Sequence, residues 1–382
     1  MKIEPGLLTT RPMILTLFAS SFTMVGFYLL LSVVPLYTGE AGGGSSGAGL
    51  ATAVFMLSTV LAQAWMPRVL ARFGYRAVLA GGMLLLGLPA LFYIPFGEVP
   101  AILAVTLVRG AGFGAAIVVL AALVVQLAPP ERRGEALGLY GVALSLPAVF
   151  CAALGLWLVE SFGYVPVFLL GASTPLLGFA AALGIPSSDG RQQRSAAGLL
   201  SGLRRGPLLR VFLLFASCTA ASGVVVTFLP LATPGPGLFS AATALLLLGL
   251  ASTLSRWWAG RFGDRRDPRL ILAPGLLLAG VGMVALSLEG FALLGGALLF
   301  GAGFGALQNA TLLLIMERVP KAEYGLGSTL WNLAFDAGTG VGAFVFGFVV
   351  GIAGFSPAFY LCAALLVAAL AFIPGIGEGG PS

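Results

Sequence analysis

Apolar runs long enough to cross a lipid bilayer recur from one end of this chain to the other. A helix needs about 20 residues to span the hydrocarbon core at 1.5 Å per residue. Such runs occupy residues 12–37, 47–66, 77–94, 101–127, 137–159, 165–185, 208–231, 239–258, 270–288, 291–316, 326–352 and 357–373. They are continuously apolar and lack the alternation of a membrane β-barrel. A helix satisfies its backbone polar groups within itself, so it is the spanning element these runs can form. The chain is 59% hydrophobic and 9% charged, where a soluble domain carries about 25% charged residues. That composition excludes a water-exposed enzyme or binding domain. The 55 glycines read as small residues that let membrane helices approach closely.

The net charge of +6 would suggest a nucleic-acid partner only if its placement were ignored. Lys2 and Arg11 precede the first run. Arg68, Arg72 and Arg76 follow the second, Arg132 and Arg133 the fourth, and Arg191, Arg194, Arg204, Arg205 and Arg210 border the gap between the sixth and seventh. Arg261, Arg265, Arg266 and Arg269 follow the eighth, and Arg318 and Lys321 the tenth. The connections after odd-numbered runs carry Glu40, Glu98, Glu160 and Glu289 and no cation. The positive-inside rule then predicts that both termini are cytoplasmic, in a plasma or inner membrane. A missed span would scramble the pattern. Cys151, Cys218 and Cys362 all fall in apolar runs, without metal-ligand spacing, and are expected to be packing residues. There is no histidine, so proton chemistry would have to use carboxylates. The first run is too long for a signal peptide and is expected to be retained.

The chain is a duplication. Gly110–Ala115 reads GAGFGA and so does Gly301–Ala306, an offset of 301 − 110 = 191. At that offset Pro129 matches Pro320, Gly134 matches Gly325, Gly163 matches Gly354, Pro166 matches Pro357 and Phe168 matches Phe359. Phe18-Ala19-Ser20 and Gly26 recur as Phe215-Ala216-Ser217 and Gly223, at 197. The expected fold is an all-α membrane protein, with twelve transmembrane helices in two pseudo-symmetric six-helix bundles. Its halves are 1–186 and 207–382, and a cytoplasmic linker, 187–206, joins them. The glycines of GAGFGA are predicted to sit where helix backbones meet. The stretch 41–49 is read as a flexible external loop.

The segment after the eighth run, Gly260-Arg261-Phe262-Gly263-Asp264-Arg265-Arg266-Asp267-Pro268-Arg269, resembles the signature loop of the major facilitator superfamily of transporters. Pro67-Arg68-Val69-Leu70-Ala71-Arg72-Phe73-Gly74-Tyr75-Arg76 is its first-half counterpart, departing at Pro67 and at Ala71, where the family has an acidic residue. Arg109 followed by glycines is similar to the family's fourth-span arginine motif. Ser145-Leu146-Pro147 keeps the proline of the fifth-span motif of drug/proton antiporters without its glycine. The resemblance covers essentially the whole chain. It implies the twelve-helix fold, a central site, a monomer, and gating roles for Arg72, Gly74, Arg76, Gly260, Asp264 and Arg265.

A charge near the bilayer centre costs about 3 kcal/mol or more, so deep charges need a reason. Asp336 is ten residues inside the eleventh run, roughly 15 Å deep, and Arg109 eight residues inside the fourth, about 12 Å from the external side. Asp336 can be read as a proton-coupling residue or as a fixed structural partner. Arg109 can be read as organising the site and assisting coupling, or as a tie between helices. Arg256, with Gln63 as its first-half counterpart at an offset of 193, reads as structural. Asn332 and Asp336 share a helix face at i,i+4, Trp331 and Phe335 a neighbouring one. With Gln308, Asn309, Tyr28, Phe27, Phe113, Phe304 and Arg109 they form the candidate substrate site. The expected function is secondary active transport by alternating access, as proton-coupled efflux of small, largely apolar compounds. The alternatives are an uptake symporter or facilitator and, remotely, an intramembrane enzyme. Protons, a small-molecule substrate and the bilayer are the expected partners. There is no phosphate-binding loop, and no cofactor is expected.

Overall fold

The structure, a computed structural model, describes residues 10–129, 132–186, 205–263, 265–320 and 323–376. The linker 187–206 therefore lies almost entirely outside the described residues, as do Lys2, Arg191, Arg194, Arg204, Asp264 and Lys321. Every regular element among the described residues is helical. α1 (Arg11–Leu31) starts with Pro12 in its first turn, where a missing N–H costs nothing. It is followed by the short α2 (Val33–Thr38), a π-helical turn Gly39–Gly43, and α3 (Gly44–Gly87). A 3₁₀ turn Leu88–Tyr93 precedes α4 (Val99–Leu127), α5 (Arg133–Phe162) and α6 (Tyr164–Leu183). The second half brings α7 (Gly206–Ala232), α8 (Ala241–Gly263), α9 (Arg269–Leu286), α10 (Phe291–Glu317), α11 (Tyr324–Ala353) and α12 (Phe355–Ala368), closed by a 3₁₀ turn Ala369–Ile376.

Nine helical stretches among the described residues are long and apolar enough to cross a membrane. The first of them, Arg11–Tyr93, contains three of the sequence-predicted runs. Within it α3 is broken at Gly74, whose φ of 73° only glycine adopts without strain. The runs 47–66 and 77–94 therefore lie on either side of a kink at Gly74 in α3. α8 stands outside the nine; Ser252, Thr253, Ser255 and Arg256 make it more polar than the rest. The matched glycines Gly163 and Gly354 do the same job twice. Each has positive φ, 78° and 86°, and joins two long helices as the sole residue between them.

The described residues fall into two compact units. One comprises residues up to Val34 and from Val54 through the first half; the other comprises Pro35–Ala53 and the second half. The stretch 41–49 is not a flexible loop. Gly42 and Gly44, at φ of 96° and 55°, end the π-helical turn, and the helix resumes at Gly44. Within the second unit Ser45 Oγ donates to Gly347 O at 3.2 Å, Thr52 and Thr227 hydroxyls share a 2.8 Å hydrogen bond, and a Cβ on Gly49 would lie 2.3 Å from Ala343 O. Serine and glycine favour loops in water; in a membrane helix the same small residues permit contact with α11.

The duplication is visible in packing as well as in sequence. In the first unit a Cβ on Gly110 would lie 2.4 Å from Phe55 O, on Gly112 2.5 Å from Leu86 N, and on Gly114 2.5 Å from Thr59 O. In the second, a Cβ on Gly301 would lie 2.4 Å from Leu248 O, on Gly303 2.4 Å from Gly275 O and 2.7 Å from Ala279 N, and on Gly305 2.0 Å from Ser252 O. The facing residues correspond at one offset: 248 − 55 = 193, 252 − 59 = 193 and 279 − 86 = 193. Each GAGFGA thus wedges its helix between the two neighbouring helices of its own unit, as its glycines predict.

Candidate functional site

Arg109 is the largest charged group in the core of the first unit, 2% exposed. Its Nε donates to Leu86 O at 3.1 Å and its terminal nitrogens to Tyr93 Oη and Gly26 O, both at 3.4 Å. Tyr93 in turn shares a 2.8 Å hydrogen bond with Thr106, and the guanidinium lies 5.6 Å from the Tyr93 ring centroid and 5.8 Å from that of Phe55. All three acceptors are neutral oxygens on α1, α3 and the following 3₁₀ turn. The planar fork of arginine reaches all three; a lysine ammonium cannot. Arg109→Ala is expected to lower stability by about 3 kcal/mol through lost packing and broken ties, and Arg109→Lys by less. The melting temperature of the purified protein checks this. An unchanged value for Arg109→Ala would show that the knot holds nothing.

Near this knot the sequence-predicted aromatics of the first half do meet. Phe27 stacks on Phe113 with centroids 4.3 Å apart and planes 16° apart, and Tyr28 meets Phe27 edge-on at 4.9 Å. Phe55, which sequence reasoning missed, completes the cluster at 5.6 and 5.7 Å from Phe27 and Phe113. Burial of Phe27, Phe55 and Phe113 to 5–7% exposure marks it as a packed apolar patch.

The second unit brings another set together. Trp331 stacks on Phe215 at 4.9 Å and 20°, and Phe335 lies 6.0 Å from Trp331 and 6.4 Å from Phe304. Trp331 Nε1 donates to Thr311 Oγ1 at 3.2 Å, and Arg256 donates to Gln308 Oε1 at 3.3 Å. Sequence reasoning missed Phe215 and Thr311; the 191 offset holds no hint of Thr311, because Leu120 stands at the matching position. Asp336 is 7% exposed and lies 12 residues into the 30-residue α11, so its carboxyl is held near mid-helix. Two other candidates stand apart from this group. Asn332 is exposed and donates to Ser328 O at 2.9 Å. Asn309 turns toward α8, where its Nδ2 would lie 3.2 Å from a Cβ on Gly260, and its buried Oδ1 has no hydrogen-bond partner among the described residues.

Of the gating candidates, Arg72 and Arg76 are exposed, with the Arg72 guanidinium 5.3 Å from the Phe73 ring centroid, and Arg265 is exposed as well. Asp264 lies outside the described residues. Among the described residues of this segment, Asp267 accepts from Arg269 N at 2.9 Å and Arg269 Nε at 2.7 Å at the start of α9. Partial burial pushes its carboxyl up, but those hydrogen bonds and the Arg269 and Arg318 charges outweigh it and hold it below the usual carboxylate range.

A family model described as Major Facilitator Superfamily matches residues 16–335 and 258–376 of the chain. Solved structures similar to it include a mutant of the nucleoside transporter NupG, 14% identical, covering 96% of this chain and 100% of that one at a TM-score of 0.76. The peptide transporter POT in complex with sulfate is 17% identical over 97% and 95% of the two chains, with a TM-score of 0.73. The inward-open xylose transporter XylE from E. coli is 15% identical over 97% of each, with a TM-score of 0.76. The TM-scores show a shared fold, and identities this low show nothing beyond it.

Proposed function

From the premise that the chain belongs to the major facilitator superfamily and is a multi-pass membrane protein of transporter fold, we propose that it is a secondary active transporter. It exchanges protons for small, largely apolar compounds and exports them by alternating access. The observation that carries the reading is Asp336, a carboxyl only 7% exposed in the middle of α11, the helix that also carries Trp331 and Phe335. A buried acid in a membrane is expensive; such residues pair with other groups and mark substrate, ion or proton pathways. Asp336 is the proton-binding residue in this account. Arg109, held by neutral oxygens, serves it indirectly by fixing helix positions. Residues 1–186 and 207–382 are the two halves, joined on the cytoplasmic side by 187–206, with both termini cytoplasmic in the plasma or inner membrane and a single chain as the working unit. The gating segments around Arg72, Gly74 and Arg76, and around Gly260, Asp264 and Arg265, lie on that cytoplasmic side.

Inverted vesicles loaded at acid pH should accumulate a lipophilic dye from a more alkaline medium and lose it when a protonophore is added. Accumulation indifferent to the gradient would rule out proton exchange. Uptake of a small metabolite is the second reading. The missing glycine before Pro147 supports it, as do the nucleoside, peptide and xylose transporters among the structural relatives. Accumulation of substrate only in right-side-out vesicles would decide for it.

A further inference from the structure

Phe304, Gln308 and Thr311 stand at i, i+4 and i+7 on α10 and so form one stripe. α11 touches both ends of it, Phe335 at Phe304 and Trp331 at Thr311. Gln308 sits between these contacts, 7% exposed. Arginine has no acceptor, so the Gln308 atom facing Arg256 must be Oε1. The amide is thereby oriented with its Nε2 donors turned from Arg256, and among the described residues nothing accepts from them. Nε2 is not among the buried atoms left without a partner, so it keeps some open surface from which it can donate to a ligand oxygen. Trp331 has already given its N–H to Thr311 and one ring face to Phe215, so it offers a ligand only the other face.

The internal repeat shows that the fold does not require this donor. At the offset of 191, Phe304, Gln308 and Thr311 correspond to Phe113, Ile117 and Leu120, and Trp331 and Phe335 to Tyr140 and Leu144. In the first unit those positions belong to packed apolar clusters. The same scaffold is thus built once as plain core and once with an oriented amide between aromatic rings.

We propose that Gln308 is a specificity-determining donor, reading a carbonyl-type acceptor oxygen on a flat aromatic compound whose ring lies against Trp331. This rests on the transport reading only in so far as the compound bound is also the compound moved. The test uses matched pairs in which a carbonyl is replaced by methylene: 9-fluorenone and fluorene, 1-indanone and indane, 2-acetylnaphthalene and 2-ethylnaphthalene. Binding to the purified full chain should favour each ketone by about tenfold, the worth of one hydrogen bond. Gln308→Ile, which installs the first-half residue, should bring the two members of each pair to equal affinity. Should that variant not fold, Gln308→Met keeps the side-chain length, removes the donor and carries the same expectation. Failure of every ketone to bind, or a ketone preference that persists in the variant, overturns the proposal. A wild-type protein that accumulates dye but shows no ketone preference sinks this inference and leaves transport standing. A ketone preference without any gradient-driven movement does the reverse.

Discussion

Gly305→Leu is expected to yield no folded protein, and Gly305→Ala a protein with a clearly lowered melting temperature. A Cβ at this position would lie 2.0 Å from Ser252 O and 2.4 Å from Ser255 Oγ, and the first of these is backbone of α8 that cannot rotate away. Relief requires α10 and α8 to part, which opens the contacts of Gly301 with Leu248 on the same face. Overpacking a tight core costs about 1–3 kcal/mol, occasionally more, for a methyl group. Alanine returns up to about 1 kcal/mol in helix propensity, so the alanine variant survives while leucine, with its far larger side chain, exceeds the margin. Gly295 supplies the control on the same helix. Nothing lies within 4 Å of a Cβ there, so Gly295→Ala should be neutral or slightly stabilising. Gly114→Ala, facing Thr59 O at 2.5 Å, should behave like Gly305→Ala if the two motifs do the same work. Equal melting temperatures for Gly305→Ala and Gly295→Ala would mean that GAGFGA is not a packing motif.

Much of the fold is legible in the sequence because lipid leaves few options. A continuously apolar run of about 20 residues has to be a helix, and the matched glycines Gly163 and Gly354 mark the same turn in both halves. The stretch 41–49 misleads because glycine and serine carry opposite meanings in water and in a membrane, and nothing local in AlaGlyGlyGlySerSerGlyAlaGly says which applies. α8 shows the same ambiguity from the other side, since Arg256 lowers its hydropathy while serving a buried amide. In the candidate site, the aromatic residues and Asp336 can be picked out by type and depth. Their partners cannot. Arg109 is held by the carbonyls of Gly26 and Leu86, and every residue has a carbonyl. Trp331 reaches Thr311 across two helices, a separation with no periodic signature. Phe55 and Phe215 are indistinguishable in sequence from phenylalanines that face lipid.

The second large effect concerns Asp336. Asparagine is nearly isosteric, keeps a polar group in the same buried place and removes the ability to gain and lose a proton. The helix around it, with Trp331 and Phe335 within about a turn and a half, keeps its apolar contacts. A fixed structural acid and a proton carrier therefore predict different things for the same variant. The structural role predicts a fall in melting temperature with transport reduced in proportion to folded protein. The carrier role predicts a well-folded protein that binds dye yet no longer couples it to the gradient. The decisive measurement is dye accumulation by Asp336→Asn in inverted vesicles under an imposed pH gradient, beside wild type at equal folded protein. Accumulation at background, with the melting temperature and dye binding retained, is the result expected. Accumulation at the wild-type level, still abolished by a protonophore, would contradict proton carriage by Asp336.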